Sequence, residues 1–279
     1  MPVNQASTGL VGNSDDRWTA GGARRTAPVA EAFAAFGVGP MVRAPLAATI
    51  ILLLACSQGD AGCADPSMLV HSAVGITRHF DEQEMKAESG ALGVRGTGWF
   101  LSPQMMLTVA HVAEGMHLSP DDWKDVEIRD GEARQSIPVR LMRLFGSRSE
   151  KIAVLELKDP FATGRILQIR TEPLERDEPV VSFGYPGNRL RFAEGRFVQY
   201  GADDDFPGFA LLELYDGNDR LAVDYGASGA PVLDCNGRVV AVVSNVLTQT
   251  IKIPSRAIRI STAWQMPNVI SVPVQEIKD

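Results

Sequence analysis

Two short segments carry residue types that can do chemistry together. Ser228 lies in Gly226-Ala227-Ser228-Gly229-Ala230-Pro231, just ahead of an apolar run, and His111 lies far upstream in Leu107-Thr108-Val109-Ala110-His111-Val112. A serine hydroxyl is a poor nucleophile until a neighbouring base accepts its proton, and an imidazole is the usual base. The oxyanion formed on attack then needs backbone N–H donors held rigidly. Glycines on both sides of Ser228 permit a tight turn that would aim the N–H groups of Gly226 and Ser228 into one pocket. Alone, G-x-S-G is a short string that ordinary turns satisfy. Combined with a histidine at the end of an apolar strand, it points to acyl transfer, with peptide-bond hydrolysis as the leading case.

The elements that would position these groups read as strands and turns. Short apolar or alternating runs predict strands at Leu92–Leu101, Met105–Val109, Pro138–Phe145, Ile152–Leu157, Pro179–Phe183, Gly195–Tyr200, Ala210–Leu214, Pro231–Leu233, Val239–Ser244 and Ala257–Ser261. Asp234-Cys235-Asn236-Gly237 reads as the turn of a hairpin, because Asn-Gly tolerates positive φ. Helix signals are few: one turn over Ala110–Met116, and another starting at Ser119–Trp123 with Ser119 as cap and Pro120 at the first position. Many short strands with little helix predict an all-β barrel or sandwich.

Taken in order, the motifs resemble those of the trypsin-like, chymotrypsin-fold serine proteases in their bacterial, disulfide-poor branch. Gly96-Thr97-Gly98-Trp99-Phe100-Leu101-Ser102 followed by Leu107 to Val112 is similar to that family's hairpin and histidine turn. Ile152-Ala153-Val154-Leu155, Phe183-Gly184-Tyr185-Pro186-Gly187, the Ser228 loop and Gly237 to Ser244 then follow in the family's order, covering roughly residues 70–275. The resemblance implies two six-stranded antiparallel β-barrels, about 68–165 and 175–265 within a domain of 68–275, with Trp264 to Val274 lying back over them. It also implies His111 as general base and then acid, Ser228 as nucleophile, and the N–H groups of Gly226 and Ser228 as the oxyanion hole.

The chain departs from the family pattern where the aspartate of the triad should stand. Lys151 occupies that position, directly before Ile152. An ammonium there could neither orient a neutral imidazole nor stabilise an imidazolium. Three arrangements remain open: a small shift of the chain that presents Glu150 to His111, another acid such as Asp122, Asp125 or Asp130 reaching it in space, or no carboxylate at all. Ala227 likewise stands where many trypsins carry an aspartate that pairs with a freed N-terminus, so activation by that ion pair is not expected. The resemblance places the primary specificity pocket at Ala222, Val223 and Val246. No acid can be assigned to its base, and a small or medium apolar side chain is the expected preference.

Composition narrows the partners. With 45% hydrophobic and 22% charged residues in 279, the chain is of ordinary globular type. A net charge of −7 without a Lys/Arg cluster excludes a nucleic-acid partner of the usual kind. His71, His79 and His117 match no catalytic motif, and no Cys/His/carboxylate spacing suggests a metal, so no cofactor is expected. Residues 1–40 read as disordered or as an upstream extension of a chain that really begins at Met41. Residues 41–56 read as a signal peptide whose Leu53-Leu54-Ala55-Cys56 end resembles the lipobox of bacterial lipoproteins, with 57–67 as linker. Cys56 is then the candidate lipidation site, a plain secreted form or an uncleaved anchor being the alternatives. The folded part is placed outside the cytoplasm, and Cys63 and Cys235 either pair or remain free thiols. The expected function is an exported serine endopeptidase acting on peptides or proteins, touching a membrane only through its anchor. The rival readings are an inactive protease-like protein that binds peptides in its groove and an esterase of the same fold.

Overall fold

Alternating Val, Ile and Leu on short strands close into two barrels. The computed structural model describes residues 63, 66–146, 150–201, 208–217, 223–246, 249–253, 256–260 and 267–277. The extension, the 41–56 segment with Cys56, and Ala222 and Trp264 lie outside the described residues. The first barrel comprises β1 (Val74–His79), β2 (Gly93–Ser102), β3 (Met105–Val109), β4 (Lys124–Asp130), β5 (Ala133–Phe145) and β6 (Ile152–Leu157). It closes antiparallel in the order β1-β2-β3-β6-β5-β4. Further along the chain come β7 (Pro179–Gly184), β8 (Arg191–Tyr200), β9 (Ala210–Tyr215), β10 (Pro231–Leu233), β11 (Val239–Val246), β12 (Gln249–Ile253), β13 (Arg256–Ile260) and β14 (Val269–Pro273). The second barrel closes as β10-β11-β14-β9-β8-β7, and β12 with β13 forms a separate two-stranded sheet.

Several elements differ from the sequence reading. Val269–Pro273 does not lie back over the barrels; it is β14, paired with β9 and β11, and closure of the second barrel runs through it. Strand β4 gives no apolar run because five of its seven residues are charged, yet Val126 and Ile128 alternate inward at 0% exposure. A short helix, α1 (Glu82–Ala87), begins at Asp81. The Asp81 carboxylate accepts the N–H groups of Gln83 and Glu84 at 2.8 Å, while Glu84 reaches back to the Asp81 N–H at 3.1 Å. That reciprocal capping box was present in the sequence as Asp-x-x-Glu. No helix follows Ser119. The Ser119 carbonyl instead accepts the Leu141 N–H at 3.2 Å, joining this stretch to β5, and Trp123 leads directly into β4 beneath the Arg140 guanidinium.

Cys63 and Cys235 are disulfide-bonded, which ties the stretch before β1 to the β10–β11 hairpin. In that hairpin Gly237 alone carries the positive φ, and Asp234 accepts the backbone N–H groups of Asn236 and Arg238. Leu69, 1% exposed, packs near Gly237 on the same hairpin. The second turn of functional weight is α2 (Ala110–Gly115), which follows β3 without a side-chain cap and carries His111.

Candidate active site

The Ser228 loop is built almost wholly from main chain. Gly226 and Gly229 adopt φ of +98° and +93°, a region that L side chains avoid. A Cβ on Gly229 would also stand 2.0 Å from the Thr97 carbonyl oxygen, so only glycine fits. The carbonyls of the loop are tied down in succession. The Tyr225 carbonyl accepts from the Gly187 N–H at 3.2 Å, Ala227 from Ala230 at 2.9 Å, and Ser228 from the Thr97 N–H at 2.8 Å. The Gly226 carbonyl accepts the Thr97 hydroxyl at 2.7 Å. Among the N–H groups, Ala227 donates to Asp224 at 2.9 Å and Gly229 to Val243 at 2.8 Å. Those of Gly226 and Ser228 meet no acceptor among the described residues. The loop thus leaves two donors unspent, on the peptides either side of Gly226–Ala227, as an oxyanion hole requires.

The His111 turn reaches this loop across β2. Gly96 lies beneath both: a Cβ there would stand 2.7 Å from Val112 Cγ1 and 3.2 Å from the Ser228 carbonyl oxygen. Glycine at 96 therefore lets the residue after His111 and the backbone of Ser228 close on one another. The Thr97 carbonyl accepts the Thr108 hydroxyl at 2.8 Å, which fastens β3 to the same strand just before His111.

Glu150 faces the imidazole. Its Oε2 lies 2.5 Å from His111 Nδ1, and its Oε1 accepts the backbone N–H of His111 at 3.3 Å and of Lys151 at 3.1 Å. Lys151 meets the site through its backbone, its carbonyl accepting the Ala110 N–H at 2.8 Å. Both side chains of the pair are largely buried, at 15% and 14% exposure for His111 and Glu150. Burial pushes the Glu150 carboxyl up, but the hydrogen bond and charge of the His111 ring, with the two backbone N–H groups, outweigh it. The carboxyl is held below its ordinary range and is ionised at neutral pH. A carboxylate on Nδ1 holds that nitrogen protonated and leaves Nε2 as the proton acceptor.

Ser244 completes the arrangement, and sequence reading did not single it out. Pairing between β11 and β14 steps from Val243 with Ser271 to Asn245 with Ile270, leaving Ser244 as the extra residue of a β-bulge. Bulges re-aim side chains beside active sites. Here the Ser244 hydroxyl donates to Glu150 Oε2 at 3.4 Å, and its carbonyl accepts the Ser228 hydroxyl at 3.1 Å. The Ser228 hydroxyl thus rests on Ser244 and not on the His111 ring. The signal for Ser244 was its place directly after the apolar run Val239–Val243, as the first polar residue of β11.

The other candidates lie elsewhere. Asp130 pairs with His71 at 2.8 Å, Asp122 with Lys124 at 2.7 Å, and Asp125 is exposed on β4. His117 stacks on Phe80 and lies 3.1 Å from Glu88. Val223 is buried in the core of the second barrel, and Val246, at the end of β11, packs half-buried against that core. Ala227 is buried, its Cβ facing Gly184.

Two closed six-stranded antiparallel barrels with Ser228, His111 and Glu150 at their junction define a protein of the chymotrypsin-like fold. Residues 96–242, more than half of the chain, match the trypsin-like peptidase domain, and the chain belongs to that family, whose substrates are peptides or proteins. Similar solved structures include Rv3671c from M. tuberculosis H37Rv as a serine-to-alanine mutant in its inactive form, at 19% identity. That match covers 76% of this chain and 85% of that one, with a TM-score of 0.46. The Rv3671c protease in its inactive form matches at 21% identity over 77% and 93% of the two chains, TM-score 0.48. Its active form from M. tuberculosis matches at 19% over 77% and 85%, TM-score 0.48. No curated protein matches the chain.

Proposed function

We propose that this protein is an exported serine endopeptidase working through an acyl-enzyme. Ser228 attacks the scissile carbonyl, and His111 Nε2 takes the hydroxyl proton. Glu150 holds the imidazole in that tautomer and stabilises the imidazolium, while the N–H groups of Gly226 and Ser228 receive the oxyanion. His111 then returns the proton to the leaving amine, and a water repeats the sequence to release the acid. The observation that carries this reading is the 2.5 Å contact between Glu150 and His111 Nδ1. The Ser228 hydroxyl needs only rotation about its Cα–Cβ bond to leave the Ser244 carbonyl, and catalytic hydrogen bonds in unliganded enzymes often tighten only with substrate. Small or medium apolar side chains before the scissile bond are the preference assigned to the Val246 side of the cleft. Export is supported by the Cys63–Cys235 disulfide, since such bonds persist in oxidising compartments, together with the signal-like segment 41–56 and Cys56 as its lipidation site.

A second reading, a groove that binds peptides without cleaving them, draws on the same Ser228–Ser244 hydrogen bond. Labelling with a fluorophosphonate, followed by intact mass, separates the two. Stoichiometric labelling that disappears in Ser228→Ala, with cleavage of a denatured protein substrate, is the expected result. A folded wild-type protein that takes up no label refutes the endopeptidase and favours the binder.

A further inference from the structure

We infer that the hydroxyl of Thr97 is the positioning group that holds the oxyanion loop in its donating shape. Of the carbonyls from Tyr225 to Ser228, three are held by backbone N–H groups, which a change of side chain other than to proline leaves in place. The fourth, on Gly226, is held by a side chain: Thr97 Oγ1 donates to it at 2.7 Å. The same oxygen accepts the Tyr185 N–H at 3.0 Å, so the rotor of the hydroxyl is fixed from both sides. Thr97 is fully buried at 0% exposure, and no solvent competes for these bonds.

The Gly226–Ala227 peptide is the pivot of the loop. Its carbonyl rests on Thr97 and its N–H on the Asp224 carbonyl at 2.9 Å. The flanking peptides carry the two unspent donors, the N–H of Gly226 on one side and of Ser228 on the other. Gly226 has no Cβ to resist rotation, so this peptide plane would turn most freely without its anchor. A turned plane swings both donors off a common target. The Thr97 backbone acts on the nucleophile separately, its N–H holding the Ser228 carbonyl at 2.8 Å. Removing the hydroxyl therefore releases the oxyanion loop while Ser228 stays tied to β2.

This inference rests on the endopeptidase reading, and the experiment keeps the two apart. Wild type, Thr97→Val and Thr97→Ser are compared for acylation by a peptide ester and for binding of a peptide aldehyde, which forms a tetrahedral adduct, against the matching peptide acid, which does not. Loss of a whole oxyanion donor lowers turnover about 10²–10³-fold. Loosening both donors without removing them should lower kcat at least about tenfold in Thr97→Val, leaving KM within about twofold. Aldehyde affinity should fall by a similar factor with acid affinity unchanged, and Thr97→Ser should stay within about threefold of wild type. A folded Thr97→Val that acylates like wild type overturns the inference, as does a folded Thr97→Ser that loses tenfold or more. Should valine prevent folding, Thr97→Ala takes its place with the same expected losses. Wild type that fails to react with any of these reagents overturns the catalytic reading itself and this inference with it.

Discussion

Replacing Glu150 by glutamine tests the catalytic arrangement with a single atom. Oε1 of Glu150 faces two donors, the N–H groups of His111 and Lys151, so the amide nitrogen of a glutamine cannot take that place. The amide oxygen must stay there, which puts the NH2 group where Oε2 now lies, 2.5 Å from His111 Nδ1. Facing a donor, Nδ1 becomes an acceptor, and the ring proton moves to Nε2. An imidazole in that tautomer cannot accept the proton of Ser228. The corresponding aspartate-to-asparagine exchange in a Ser-His-Asp triad lowers kcat about 10⁴-fold, or about 5.4 kcal/mol of barrier. Pseudo-first-order labelling by a fluorophosphonate, read by intact mass, measures the loss directly, with Ser228→Ala as the blank. Lys151→Ala is the matched control and should stay within about twofold, since Lys151 enters the site through its backbone. A folded Glu150→Gln protein that labels within tenfold of wild type would refute the tautomer argument.

Acid stability should report the same carboxyl. Its pKa is depressed in the fold, so the stability it adds is complete above the pKa of an unfolded glutamate and is lost as pH falls through the lower folded value. The gap in melting temperature between wild type and Glu150→Gln should hold steady from about pH 7 to 5 and close below about pH 4, as thermal scans would show. Gly96→Ala should destabilise by about 1–3 kcal/mol, because Val112 is buried and cannot yield to a Cβ at 2.7 Å, and Val112→Ala should restore much of it. A denaturant titration in which Gly96→Ala matches wild type would contradict that packing. Ser244→Ala should slow acylation by no more than about tenfold, since its hydroxyl reaches Glu150 at 3.4 Å, near the outer limit of a hydrogen bond. Cys63→Ser should lower stability by about 2–5 kcal/mol, and reductant should bring wild-type melting down to that of Cys63→Ser; equal melting of oxidised wild type and Cys63→Ser would rule the disulfide out as a structural tie.

Most strands were legible because their signal is local. Runs such as Ile152–Leu157 and Val239–Ser244 bury nearly every residue, so composition alone marks them. Strand β1 shows no such run, because Gly75, Thr77 and Arg78 interrupt its apolar residues, although Gly75 serves to let the Tyr185 ring pack 3.0 Å from where a Cβ would be. The two missed elements with regular patterns, β4 and α1, had readable signals in alternation and in the capping box. Strand β14 had a weaker one, since a five-residue apolar stretch does not announce which sheet it joins.

What the sequence determined by itself is the inventory of reactive groups and the tight turn that exposes one of them. A glycine-flanked serine and a histidine following an apolar strand follow from residue types a few positions apart. Which carboxylate meets His111 is decided only in three dimensions, because Glu150, Asp122 and Asp130 look alike in the chain. Asp130 is taken by His71 and Asp122 by Lys124, while Glu150 is turned inward by two backbone N–H groups and the imidazole. The bulge that brings Ser244 to both Glu150 and Ser228 depends on how β11 pairs with β14, and the disulfide depends on where Cys63 meets the β10–β11 hairpin. Contacts of that kind join residues far apart in the chain, and their geometry is decided by the closure of the barrels.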